Sequence, residues 1–162
     1  MAVEKERKFL ITCWPGNAIP NEFLSKQCVG IMHHIKQGYL MLQDGKQLRV
    51  RITDYTHATW AYKVGTEVDD ERYEFEYEIP LQDAMQMMDT ADLKIEKYRT
   101  KTQFKGLQID IDFYQNSLVI AEIEMPFSGF VLRDDYIPDY IGVDVTGDKS
   151  YSNIELARKF SK

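Results

Sequence analysis

The chain has 162 residues, 44% hydrophobic and 28% charged, which suits one domain over 1–162 with a real buried core. Its formal net charge is −6 and its basic residues form no run, which argues against a general nucleic-acid or membrane-surface binder, so an anionic ligand must be met by local charge. Cys13 and Cys28 have no C-x-x-C or zinc-ligand spacing, no leader-like N-terminus is visible, and no stretch approaches the ~20 apolar residues of a membrane span, so a reduced, cytoplasmic protein is expected.

Polar and apolar residues alternate at about residues 2 to 11, 31 to 42, 47 to 54, 58 to 64, 72 to 79, 94 to 104, 107 to 114 and 118 to 125, which predicts strands there. Turn-forming stretches such as QDGK and Gly65 to Asp70 separate them. Connections this short favour antiparallel neighbours, and such a set either closes into a barrel or splits into a sandwich. Three helices are expected beside the strands. One spans Asn17 to Lys26, and a second follows Pro80 with Leu81, Ala84, Met85 and Met88 on one stripe, Met87 adding to its packing on the sheet. The last starts at Ser152, where Ser152 and Glu155 fit a capping box and Ile154, Ala157 and Phe160 give an apolar side.

The strands carry charges at every second position. Glu4, Glu6 and Lys8 come first, followed by Arg49 with Arg51, then Arg72, Glu74, Glu76 and Glu78. Lys97, Arg99 and Lys101, Asp110 with Asp112, and Glu122 with Glu124 continue the pattern. Alternate residues of a strand point the same way, so each strand has a charged face and an apolar face. Solvated sheet faces ordinarily mix Thr, Ser and Gln with scattered charges, whereas like charges ~7 Å apart along a strand invite a counter-ion. Carboxylates without nearby His or Cys suit a hard ion, Mg²⁺ or Mn²⁺, and the Arg and Lys rows suit phosphate oxygens. Adjacent His33 and His34 point to opposite faces, so at most one faces inward, and both read as ordinary polar strand positions. Glu78 and Lys101 read as strand ends at a solvated rim.

Glu4, Glu6 and Lys8 form the E-x-E-x-K signature of the CYTH superfamily, the triphosphate tunnel metalloenzymes, which this chain resembles. The resemblance continues in order through QGYL at Gln37 to Leu40, Arg49 and Arg51, Lys63, Arg72 with Glu74 and Glu76, Lys97 and Arg99, Asp112, Glu122 to Glu124, and VTGDKSYSN. It implies an α+β, mainly β fold: an eight-stranded antiparallel closed tunnel barrel with a charged interior, flanking helices and a plug-like C-terminal helix, Lys149 lying near the mouth. The resemblance also implies that Glu4, Glu6, Glu122 and Glu124 hold the divalent ion, Mg²⁺ or Mn²⁺, and that Glu74, Glu76 and Asp112 hold a second ion or orient water. Arg49, Arg51, Lys63, Arg72, Lys97 and Arg99 would bind phosphate oxygens, and Lys8 with Tyr39 resembles a catalytic pair. A Tyr after Gly in a strand is also a common packing residue.

Two features depart from the family pattern. The turn between Asp112 and Glu122 is short, so Asp110 or Asp112 is the inward acid, and the usual E-V-T reads Asp144, Val145, Thr146. The activity implied is metal-dependent hydrolysis of inorganic triphosphate or a related small-molecule triphosphate. A class IV adenylate cyclase, a thiamine triphosphatase and a non-catalytic polyphosphate-binding module are the alternatives, and a homodimer is compatible with the resemblance.

Overall fold

The computed structural model describes residues 2–11, 31–66, 71–127 and 129–161, with the backbone alone for residues 2 and 3. The helix expected over Asn17 to Lys26 and both cysteines, Cys13 and Cys28, lie outside the described residues. The strands are β1 (Ala2–Glu4), β2 (Glu6–Leu10), β3 (His33–Gln43), β4 (Lys46–Thr53), β5 (His57–Gly65), β6 (Arg72–Glu78), β7 (Leu93–Phe104), β8 (Leu107–Phe113) and β9 (Val119–Glu124). Helices α1 (Leu81–Thr90) and α2 (Asn153–Phe160) complete the described elements together with short 3-10 turns. Every expected strand is present to within two residues of its expected ends, and the expected first strand is divided at Lys5 into β1 and β2. Among the described residues no helix is long and apolar enough to cross a membrane.

The chain forms two compact units, Met1–Glu4 with His34–Glu96 and Gly147–Lys162, and Lys5–His33 with Lys97–Thr146. In the first, the antiparallel order is β1-β6-β5-β4-β3. Asp44 and Gly45, both at positive φ, make the tight β3–β4 turn predicted from QDGK. Cross-strand register puts Val50, Ile52 and Ala58 on one side of this sheet, where they pack with Ala84 and Met88 of α1. Gly38 lies on the same side, and a Cβ there would sit 2.8 Å from Ala91 Cβ and 2.9 Å from Met88 Sδ, so only glycine lets the end of α1 approach β3 this closely. The expected α1 packing needs one correction: Met85 is exposed, whereas Met87 and Met88 pack with the cluster as expected. Ser152 caps α2 as expected by accepting from the Glu155 N–H, but Leu156 and Ala157 are its buried residues, while Ile154 and Phe160 are only half-buried.

In the second unit the order is β7-β8-β9-β2. Phe9, Ala121 and Ile111 align on one face, as do Ile123 and Ile109. They form a core with Ile11, Leu107, Val119, Met125 and Ile141, so the apolar half of each alternating strand is buried. Residues 142–145 run along β2, with Leu10 N–H donating to the Val143 carbonyl and Val145 N–H to the Lys8 carbonyl. The Asp144-Val145-Thr146 departure sits here. The Asp144 carboxylate accepts from Arg7 and from the Thr146 N–H, and Thr146 Oγ1 accepts from the Lys8 N–H at 3.0 Å, so this segment pins β2. Neither unit's hydrogen-bonded order returns to its starting strand, so neither is by itself the closed barrel that the resemblance implies.

Candidate functional site

Each unit gathers its alternating charges on one face. In the first, Tyr39 lies opposite Arg49, Arg49 opposite Ala61, and Ala61 opposite Glu76; Gln47, Lys63 and Glu74 form the neighbouring row. Arg49 and Lys63 are 7% and 8% exposed, burial that long cations tolerate only when paired. Arg49 Nη2 donates to Glu74 Oε1 at 3.1 Å and Glu76 Oε2 at 3.0 Å, and Lys63 Nζ to Glu4 Oε2 at 2.5 Å, with Glu74 Oε1 at 3.3 Å. Arg51 lies 3.9 Å from Glu76. Glu4 pairs in register with Arg72, which is exposed and makes no ion pair among the described residues. Tyr39 is 4% exposed, and its position opposite Arg49 puts it on the charged face and not in the α1 core.

In the second unit Lys8, Glu122, Asp110 and Lys101 form one cross-strand row, and Asp112 and Arg99 sit opposite each other in the next. Arg99 is the hub. Its Nε and Nη2 donate to the two Asp112 oxygens, both at 2.6 Å, its Nη1 donates to Asp110 at 2.6 Å, and Nη2 also reaches Glu122 at 2.5 Å. The planar fork of arginine suits such multiple carboxylate contacts, which a lysine could not reproduce. Lys97 Nζ donates to Asp112 Oδ2 at 2.5 Å, and Lys8 Nζ lies 3.1 Å from Glu6 and 3.0 Å from Glu122. Asp110 and Asp112 lie on the same charged face and both bind Arg99, so the structure does not separate the two acids between which the sequence left a choice. Tyr114, absent from the sequence reading, donates to Asp112 Oδ2 at 3.2 Å; its place two residues after Asp112 was the parity signal.

The electrostatics follow from these contacts. Burial opposes a charged Lys8, but Glu122 and Glu6 overcome it and raise its pKa above the ordinary lysine range. Burial likewise opposes the Asp112 and Glu122 carboxylates. Lys97 and Arg99 beside Asp112, and Lys8 and Arg99 beside Glu122, hold both below the usual carboxylate range. Burial and the neighbouring Arg99 instead push Lys97 down to about 8. His34 is buried and bonds Glu96 at 2.5 Å while stacking on Tyr55, so it has a polar partner outside the charged rows.

The acids offer only oxygen donors, the chemistry of Mg²⁺ or Mn²⁺. Glu6 lies directly opposite Glu124 in the β2–β9 register, a like-charge juxtaposition that a cation relieves, with Glu122 on the same face. Among the described residues no three His, Cys, Asp or Glu side chains are gathered closely enough to form a ready metal cage, because Glu122 turns to Lys8 and Arg99. The donor type and the Glu6–Glu124 opposition are therefore compatible with a hard divalent ion.

No protein-family model matches the chain. It is 35% identical over 163 aligned positions to an inorganic triphosphatase of Acetivibrio thermocellus, covering 98% of this chain and 95% of that protein. The crystal structure of another inorganic triphosphatase is similar with a TM-score of 0.59, at 24% identity, over 95% of this chain and 97% of that one. An X-ray structure from Vibrio parahaemolyticus, described as a candidate adenylate cyclase, matches with a TM-score of 0.56 at 17% identity over 77% and 76% of the two chains. These two likenesses establish a shared fold. The curated relative, aligned over nearly the full length of both chains, places the protein in the inorganic triphosphatase family of the CYTH superfamily whose ordered motifs it carries.

Proposed function

We propose that this chain is a divalent-metal-dependent triphosphatase that hydrolyses the phosphoanhydride bond of inorganic triphosphate. In this reading residues 1–162 act as one domain, whose strands close into an eight-stranded tunnel barrel with the last helix as a plug. The observation that carries the functional reading is buried charge. Arg49, Lys63 and Lys97 are 7%, 8% and 2% exposed, and each is held by carboxylates on one face of its sheet. Cations so placed can transfer to a polyanion without first being stripped of bulk water. That the Acetivibrio relative is an inorganic triphosphatase supports inorganic triphosphate as the substrate of this chain.

Glu4, Glu6, Glu122 and Glu124 would hold one ion, and Glu74, Glu76 and Asp112 a second ion or the attacking water. When bound, Mg²⁺ or Mn²⁺ neutralises terminal phosphate oxygens and the charge that develops on the leaving group. Arg49, Arg51, Lys63, Arg72, Lys97 and Arg99 bind phosphate oxygens and fix the triphosphate for in-line attack. Lys8 keeps its proton between Glu6 and Glu122, so it acts as a hydrogen-bond donor and charge stabiliser at a phosphoryl oxygen, not as a base. Tyr39, opposite Arg49 in the β3–β4 register, would offer its phenol to the same anion. Phosphate release from tripolyphosphate with Mg²⁺ or Mn²⁺ tests the reading, with cyclic AMP from ATP and phosphate from thiamine triphosphate measured beside it. Full activity in Glu4→Ala and Glu6→Ala proteins would sink the assignment of those acids.

A further inference from the structure

Gln37 on β3 lies opposite Arg51 on β4, and Arg51 opposite Thr59 on β5, so the three side chains form one row on the charged face of the first unit. Gln37 is 0% exposed, yet neither its amide nitrogen nor its carbonyl oxygen has a hydrogen-bond partner among the described residues. The buried Thr59 hydroxyl oxygen is in the same condition. Buried polar groups are nearly always paired, and leaving one unpaired is costly, so two on the same row call for an explanation. The opposite face of the same strands packs Val50, Ile52 and Ala58 against α1 with apolar side chains, so nothing about sheet packing itself requires an amide here.

This row also differs in charge from its neighbours. Lys63 is held by Glu4 and Glu74, and Arg49 by Glu74 and Glu76, so an anion arriving at either must displace carboxylates. Arg51 is flanked on its two neighbouring strands by the neutral hydrogen-bonding groups of Gln37 and Thr59, and it lies 3.9 Å from Glu76. Amide N–H and hydroxyl O–H groups donate to phosphoryl oxygens without adding charge, and a guanidinium between them supplies it. An anion alone cannot satisfy the Gln37 carbonyl oxygen, which accepts from a water carried with the phosphoryl group.

We infer that Gln37 and Thr59 are substrate-binding residues which, with Arg51, form a subsite for one phosphoryl group. This deepens the triphosphatase reading and rests on it for the substrate's identity, while the subsite itself requires only a phosphate-bearing ligand. It assigns to Gln37 and Thr59 an energetic signature opposite to that of structural residues. Gln37→Met keeps the length of the side chain and removes two orphaned polar atoms, so the ligand-free protein melts at the wild-type temperature or higher. The same change removes hydrogen bonds to an anion and weakens substrate binding by about tenfold to a hundredfold.

The test compares wild type, Gln37→Met, Thr59→Val and Thr59→Ser in two measurements: KM and kcat for tripolyphosphate with Mg²⁺, and the melting temperature of the ligand-free protein. A KM raised at least tenfold in Gln37→Met and in Thr59→Val, recovered in Thr59→Ser, with no fall in melting temperature, supports the subsite. An unchanged KM in both variants overturns it, whatever happens to their stability. Should Gln37→Met fail to fold, Thr59→Val and its serine rescue decide alone. If the wild type does not turn over tripolyphosphate, the triphosphatase reading fails separately, and calorimetric titration with diphosphate decides the subsite: binding lost in Thr59→Val supports it, and equal binding or none overturns it.

Discussion

Arg99→Met removes the hub of the second unit, and its cost follows from what it strands. The Arg99 guanidinium is the shared partner of Asp110, Asp112 and Glu122, whose side chains are 3%, 0% and 6% exposed. After its loss Asp112 keeps Lys97, Glu122 keeps Lys8, and Asp110 keeps Gln108 with Lys101 at 3.9 Å. None of the three is abandoned entirely, so the loss falls within the ~3–5 kcal/mol of a single broken buried pair instead of a sum over four hydrogen bonds. Against a typical total of about 5–15 kcal/mol, a loss near 4 lowers the melting temperature by roughly 8–16 °C in a chain of this size. Thermal and urea denaturation at pH 7.5, followed by far-ultraviolet circular dichroism, reads this directly. The sign of the pH dependence adds a second check. In the wild type Asp112 and Glu122 have depressed pKa values, so their contribution is complete above the unfolded carboxylate values near 4 and is lost as pH falls through the folded values. The variant has less of that contribution to lose, so the gap between the two proteins narrows below about pH 4. A melting temperature within 2 °C of wild type at pH 7.5, or a gap that widens on acidification, refutes the hub argument.

Lys8→Met abolishes most turnover of tripolyphosphate while Lys8→Arg keeps a measurable fraction, because a protonated donor is what the position supplies; a Met variant as active as the Arg variant would contradict that role. Gly38→Ala destabilises by about 1–3 kcal/mol through overpacking against Ala91 and Met88, a cost that a melting curve detects and an unchanged midpoint would disprove. Glu124→Gln relieves the opposition to Glu6, so the metal-free protein is no less stable than wild type. Saturating Mg²⁺ at about 100 times its Kd stabilises wild type by ~2.7 kcal/mol. A smaller Mg²⁺-induced shift in Glu124→Gln is expected, and an equal shift would remove Glu124 from the ion's ligands.

Strand identity was legible because period-two alternation is a local property, and turn residues such as Asp44 and Gly45 mark the ends of β3 and β4 in the sequence as they do in the structure. Parity also placed Asp110 and Asp112 on one face correctly. What it could not supply was the partner of each charge. Lys8 meets Glu122 only through the β2–β9 register, which joins segments more than a hundred residues apart and depends on turns and core packing far from either residue. The Met85 error on α1 has a similar cause. A ten-residue helix shows its apolar stripe in sequence, but which of its residues meet the sheet depends on distant partners: Gly38 lets Ala91 and Met88 approach closely, while Met85 is left exposed. Tyr114 was within reach of parity and was missed because an aromatic at a strand end ordinarily reads as packing.

The density of ion pairs on these two faces is poorly explained by stability. Replacing a buried ion pair with apolar side chains of equal volume is often neutral or stabilising, and the other face of the same strands shows that Ile, Val and Ala fill such a sheet well. Three features of the charged faces are instead costs to the ligand-free fold. Glu6 stands opposite the like-charged Glu124 in the strand register, Gln37 buries an amide that has no partner among the described residues, and burial pushes the Lys97 ammonium down to about 8. A divalent cation relieves the first, a phosphoryl group the second, and a polyanion beside Lys97 the third. A metal-bound triphosphate carries all three remedies in one ligand. The same residues that weaken the free protein therefore become its means of binding, and substitutions that stabilise it there should cost it substrate.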